Sequence, residues 1–286
     1  MTVRYRFGCD LSYEVVSPTV FIFNFEAARM GRHRDLSETL TISPDLARRT
    51  HVVPGTRTRY VAVNARPGPL HVRYEAQVTL DVLRADPATI DETPLEDVPL
   101  DVLPYLLPSR FVSSDRLAAF ATREFGHLPK GYGRVTAICN WIHDNLEYRR
   151  GSSDGETTAD ESLLLRAGVC RDFSHLGIAF CRALGIPARF VSAYAFGLQP
   201  PDFHAVFEAY LDGRWWLFDA TRQANLDGLV RIGVGRDAAE IAFASPFGEM
   251  KPGPVQVFIE HADGSPETGP RTVDAISTDE PEPGLS

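Results

Sequence analysis

Between His71 and Leu80 the chain alternates strictly. Val72, Tyr74, Ala76, Val78 and Leu80 are apolar; Arg73, Glu75, Gln77 and Thr79 are polar. A period of two buries one face of a strand and wets the other. Shorter runs at Val3–Phe7, Leu11–Val16, Val20–Phe25, Glu38–Ile42 and Thr58–Val63 read as further strands. Ser17-Pro18, Ser43-Pro44, Pro54-Gly55 and Pro67-Gly68-Pro69 punctuate them as turns. Short strands with regular turns predict an N-terminal antiparallel β domain, sandwich-like, over residues 1–84.

The pattern then changes. Five prolines between Ala85 and Ser109 exclude a long helix or a central strand, so 85–109 reads as a Pro-rich connector. Beyond it the period becomes helical. Asp115–Phe125 is a helix with Ser114 as its N-cap, and Gly133–Leu146 a second with Val135, Ile138, Ile142 and Leu146 on one face. Cys170–Leu184 is a third, with a stripe of Phe173, Leu176, Phe180 and Leu184, closed by Gly185 and Pro187. Strands follow at Ala188–Ala195, Phe203–Leu211 and Arg214–Ala220, with one more at Val255–His261. The fold class is α+β, with a core over 110–262 and a disordered acidic tail over 263–286.

Charge narrows the partners. The 286 residues carry a net −9, which disfavours nucleic acid and anionic membrane as partners. Residues 263–286 hold six acids and one arginine, so −5 of that charge sits on the tail. Four cysteines in this length are no disulfide scaffold. No apolar run suits a signal peptide or a membrane span, so the expected compartment is the cytoplasm. No His-Glu-x-x-His or Cys-x-x-Cys pair occurs, and neither a metal nor a cofactor is expected. Gly233-Val234-Gly235-Arg236-Asp237-Ala238 fits a loose dinucleotide pattern, but no βαβ unit surrounds it.

The candidate chemistry begins at Cys170. It follows the turn Gly168-Val169 and opens a helix, where the dipole favours thiolate and unpaired N–H groups can face an oxyanion. The plain alternative is a small buried hydrophobe. Asp212-Gly213 signals a two-residue hairpin. With Leu211 opposite Arg214, Asp219 faces Val206 and becomes a diagonal neighbour of His204. A carboxylate on one imidazole nitrogen would fix the tautomer and leave the other nitrogen for a thiol proton. A three-residue loop would instead turn Asp219 to the other face. Each residue alone has a structural reading; together they compose nucleophile, base and orienter. His175 lies five positions after Cys170 on the same helix, so the two side chains diverge, and it takes a packing role. Trp215 and Trp216 read as core or as a shield for the imidazole, Tyr148 as a possible oxyanion donor, and Gly151–Gly155 as a polar loop beside the cleft.

Gly168-Val169-Cys170-Arg171-Asp172-Phe173-Ser174-His175, Leu184-Gly185-Ile186-Pro187-Ala188-Arg189, His204 and Trp215-Trp216-Leu217-Phe218-Asp219-Ala220-Thr221 resemble the transglutaminase-like superfamily. The similarity is to its bacterial group of cysteine-protease-like members with an N-terminal β domain. Trp141–Tyr148, Gly235–Glu240 and Leu107–Asp115 extend the match. The resemblance implies a papain-like core in which the cysteine helix packs on an antiparallel sheet carrying the histidine and aspartate. It implies Cys170, His204 and Asp219 as the catalytic residues. It also implies acyl transfer from an amide of a protein or peptide substrate through a thioester, leaving open whether water or an amine is the acceptor. The rival expectation is a catalytically silent interaction module on the same fold.

Overall fold

The computed structural model describes residues 2–264 and 272–279. The strands are β1 (Val3–Val15), β2 (Thr19–Phe23), β3 (His33–Ser43), β4 (Arg48–Val52), β5 (Arg59–Ala65), β6 (Gly68–Leu80) and β7 (Leu83–Ala85). The helical part holds α1 (Ala118–Phe125), α2 (Tyr132–Asn145), β8 (Glu147–Tyr148), α3 (Ala159–Leu165), β9 (Ala167–Gly168) and α4 (Cys170–Ala183). Then come β10 (Ala188–Ala195), β11 (Phe203–Leu211), β12 (Arg214–Phe218), β13 (Leu229–Gly235), β14 (Ala244–Phe247), β15 (Met250–His261) and β16 (Ala275–Ser277).

Two four-stranded sheets, β15-β1-β6-β3 and β14-β2-β5-β4, face each other across one core. The alternation predicted for His71–Leu80 is realised, with Val72, Tyr74, Ala76, Val78 and Leu80 all buried. The runs at Val3–Phe7 and Leu11–Val16 fuse into β1, whose glycine at position 8 lets Tyr74 and Phe258 approach from either side. The strand foreseen at Val255–His261 exists but needs correction. It belongs to the longer β15 and pairs with β1 in the N-terminal sheet, not in the core ending at 262. Likewise β14 completes the second sheet against β2. Strands that leave the core therefore return to close the edges of the sandwich, where an open ladder would be a liability.

A third sheet, β12-β11-β10-β13, carries α4 on one face. Gly177 makes this close: a Cβ there would lie 2.6 Å from the Phe207 ring of β11. The sheet meets the sandwich through Tyr194, Val230 and Ile232, at the far end of β10 and the near end of β13. Tyr194 donates its hydroxyl to the Phe25 carbonyl at 2.8 Å. Residues 85–109 form three short 3-10 turns at Pro87–Thr89, Leu95–Asp97 and Leu103–Leu106.

Two further expectations are corrected. Ser114 does not cap α1, which begins later, behind Leu117; Ser114 is buried instead. The tail is ordered where it is described. Ala275, Ile276 and Ser277 are wholly buried, and β16 pairs with β7. Two adjacent apolar residues suffice to seat the strand despite its acidic neighbours. The rest of the expected disorder, 265–271 and 280–286, lies outside the described residues.

Candidate active site

Cys170 is the first residue of α4 and is half-buried, whereas Cys9, Cys139 and Cys181 are fully buried. The turn before it is locked by Asp172, which accepts the Val169 N–H at 2.8 Å and the Ser153 hydroxyl. Arg171 adds a bond to the same carboxylate at 3.0 Å. A Cβ on Gly168 would fall 2.6 Å from that of Asp172, so only glycine lets the aspartate fold back. Asp172 thus holds the thiol at a helix N-terminus whose N–H groups are unpaired within the helix.

The hairpin forms in the anticipated register. Leu211 opposes Arg214, and the pairs continue to Phe207 opposite Phe218. Asp212 and Gly213 are both left-handed, at φ 49° and 71°, as a type I′ turn demands. Asp219 follows directly and reaches diagonally to His204. Its Oδ2 lies 3.0 Å from Nε2 of the imidazole, and both side chains are buried. Burial disfavours charge on His204, but the Asp219 carboxylate and its hydrogen bond outweigh it, with Cys170 adding to the effect. The imidazole is thereby pushed up to about 10. Burial likewise opposes charge on Asp219, and the imidazole and Thr221 overcome it, so its carboxyl titrates below the ordinary range. Nδ1 of His204 has no hydrogen-bond partner. The Cys170 thiol lies near enough to favour the imidazolium, without a bond of ordinary geometry.

Tyr148 comes to the same point. β8 runs parallel to β9, Tyr148 opposite Gly168, which brings its hydroxyl beside the Cys170 thiol and the Cys170 N–H. Burial, then the neighbouring thiol, raises the phenol above its ordinary range, so it stays protonated and can donate. Gly151, Ser152, Ser153 and Asp154 line a groove of about 600 Å³ with Glu161, Leu164 and Leu165. Arg150 and Asp202 form an exposed ion pair at 3.4 Å between the loop after Tyr148 and the loop before His204.

The remaining candidates fall elsewhere. His175 is fully buried between Phe111 and Phe190, with ring centroids 5.4 and 5.0 Å away. Trp216 lies in the core beneath α4 and donates its indole N–H to the Leu211 carbonyl at 3.1 Å. Trp215 packs under the connector with Val98, Val102 and Tyr105. Neither tryptophan covers the imidazole. The loose glycine motif begins in the last three residues of β13, antiparallel to β10, where Gly233 makes room for Thr58. Thr221 received no role from sequence, yet its hydroxyl and N–H reach Asp219 Oδ1 at 2.6 and 2.8 Å. The signal was present, since an aspartate bonding the N–H two residues on is an Asx-turn.

Comparison with known proteins gives the family. Residues 3–100 match the bacterial transglutaminase N-terminal domain, and residues 119–220 the transglutaminase-like superfamily core. The crystal structure of a "putative cysteine protease" from Cytophaga hutchinsonii is 40% identical and superposes with a TM-score of 0.91, covering 97% of this chain and 98% of that one. An uncharacterized protein of Mycobacterium leprae is 27% identical over 84% of this chain and 91% of its own length. One from Mycobacterium bovis is 35% identical over 36% of this chain and 38% of its own. With both of its parts matched and a solved relative aligned almost end to end, the chain belongs to the transglutaminase-like superfamily.

Proposed function

We propose that this protein is a thiol enzyme that hydrolyses an amide bond in a protein or peptide, with Cys170 as nucleophile, His204 as base and acid, and Asp219 as orienter. One observation carries the reading. Asp219 engages Nε2 of His204, and the buried Nδ1 is left without a partner beside Cys170. A carboxylate on Nε2 puts the proton there and leaves Nδ1 to take the proton of the thiol. The thiolate attacks the carbonyl carbon, and the oxyanion meets the Cys170 N–H and the Tyr148 hydroxyl. The C–N bond breaks as His204 protonates the leaving amine. Water, deprotonated by His204, then attacks the thioester and releases the acid and the thiol. The four free thiols favour a reducing compartment such as the cytoplasm.

The test is iodoacetamide alkylation of Cys170 against pH, read by peptide mass spectrometry. Alkylation should be fast below neutrality and slow at least about tenfold in His204→Ala. A wild-type profile like that of free cysteine, unmoved by the substitution, would leave an interaction module on an enzyme fold. A glutamine peptide offered with a fluorescent primary amine checks the acceptor. Amine incorporation in place of hydrolysis would replace water by amine in the second step.

A further inference from the structure

The face of the third sheet turned away from α4 holds an ion cluster that is incomplete without the C-terminal segment. Glu208, Arg189 and Arg231, from β11, β10 and β13, are almost wholly buried. Arg189 bonds Glu208 at 2.7 Å, and Arg231 bonds its other oxygen. Two guanidiniums on one carboxylate leave a buried positive charge uncompensated, which is costly. Asp279 supplies the missing anion, 3.4 Å from Arg189 and 3.6 Å from Arg231. Thr278 accepts from Arg231 at 2.7 Å, and the Asp279 carbonyl accepts from Arg32 at 3.1 Å and Arg214 at 3.4 Å. Three residues earlier, Ile276 is wholly buried in one cluster with Val206 and Leu217.

That cluster adjoins the site. Along β11 the side chains of His204, Val206 and Glu208 alternate onto one face. Across the hairpin, Leu217 lies two residues before Asp219 on the same face. The imidazole–carboxylate pair therefore rests on a layer that Ile276 closes and Asp279 neutralises.

We propose that seating of residues 272–279 sets the position of His204 and Asp219, with Ile276 and Asp279 as positioning residues, so that the chain's own C-terminal segment controls whether Cys170 has its base. The groove takes an extended segment with a branched apolar residue followed three positions later by a carboxylate. This rests on the role given to His204 above.

The experiment uses full-length protein and two readouts: amide hydrogen exchange over β16 and the pH profile of Cys170 alkylation. In Asp279→Ala, β16 should lose protection and alkylation in mildly acidic buffer should slow about tenfold, within the usual range for coupled sites. Asp279→Glu should restore both. Arg32→Ala removes only a contact at the rim, leaves no buried ion unpaired, and should move both readouts in the same direction by less. It carries the test if Asp279→Ala does not fold. Loss of β16 protection with an unchanged alkylation profile, in either variant, overturns the proposal. Failure of the catalytic reading looks different: wild-type alkylation would ignore His204→Ala while β16 stayed protected.

Discussion

The surroundings of His175 and His204 differ above all in whether a carboxylate bonds the ring. Both imidazoles are buried, and both have an aspartate nearby. Around His175, burial dominates and pushes the ring down to about 3, with the pull of Asp237 too weak to oppose it and Arg171 and Arg182 adding to the fall. Asp237 bonds elsewhere: one oxygen accepts the Phe111 N–H and the other the Ala239 N–H, each at 2.9 Å. His175 Nε2 itself accepts the Ala238 N–H at 3.2 Å, so the ring is held as a neutral acceptor. Around His204 the carboxylate is bonded directly to the ring, and the ring moves the opposite way, to about 10. Burial alone makes an inert histidine. A directly bonded carboxylate makes a buried base.

The largest effect should come from turning one environment into the other. Asp219→Asn keeps the shape and removes the charge, leaving His204 to burial as His175 is. The hydrolytic kcat/KM should fall by about 10²–10⁴-fold, as when an orienting carboxylate is neutralised. Stability checks the sign. His204 is raised from 6.5 to about 10, so its contribution is complete below about pH 6.5 and is lost as the pH rises through about 10. Asp219 is depressed, so its contribution exists above the ordinary carboxylate range and is lost as pH falls through its folded value. Tm of wild type and variant should therefore diverge most in mildly acidic solution, between the ordinary carboxylate range and about pH 6.5, and draw together as the pH rises towards about 10. A constant gap at all pH values would mean that packing, not charge, distinguishes the two sites.

His175→Gln should act the other way round. The wild-type ring is lowered from 6.5 to about 3, so the unfolded chain takes up its proton first. Stability from this group is present above about pH 6.5 and drains as pH falls towards about 3. Glutamine keeps an acceptor for the Ala238 N–H and does not titrate. Acid melts should show a flatter limb between those limits, by a few kcal/mol at most, with Cys170 alkylation changed only severalfold. A loss of alkylation comparable to that of His204→Ala would move His175 into the chemistry.

What could be seen in the sequence was mostly local. The Asp212-Gly213 turn sets the hairpin register, and the register places Asp219 against His204 without further help. Strand β6 and helix α4 announce themselves by their periods. Elements without a period leave no such mark. Strand β4, Arg48–Val52, is exposed on both faces and has no alternation to read. Strand β13 carries Gly233 and Gly235, which serve close packing and mimic a nucleotide motif. Helix α3 carries a local signal of another kind: Thr158 and Glu161 form a capping box, and the Thr158 N–H bonds the Glu161 carboxylate at 2.8 Å. The partners of β15 and β16 had no local signal. Nothing near Val255 says that it will pair with Leu11. The tail's acidic composition hid Ala275 and Ile276, and the arginines that receive Asp279 come from four distant segments. Composition describes a segment alone, while burial depends on what it meets.

The smallest effect tests how much the fine bonding of the orienter matters beside its charge. The Thr221 hydroxyl donates to Asp219 Oδ1 at 2.6 Å, and the Thr221 N–H supports the same oxygen at 2.8 Å. Oδ2 keeps His204 and the N–H groups of Gln223 and Ala224, at 3.2 and 3.3 Å. Thr221→Val has nearly the same shape and leaves every one of these but the hydroxyl. A hydrogen bond to a charged group contributes about 1.5–3 kcal/mol, and the remaining N–H donors should keep the loss at the lower end. The Asp219 carboxyl should then titrate nearer its ordinary range, and the variant should lose stability at a higher pH than wild type as acid is added. Alkylation of Cys170 should slow by less than about tenfold, since the charge beside the imidazole remains. Melts and alkylation rates for Thr221→Val and Asp219→Asn, measured side by side, separate the two contributions. If the valine variant falls as far as the asparagine one, the alignment of Asp219 governs His204, and a carboxylate merely bonded to a buried histidine is not enough to make it a base.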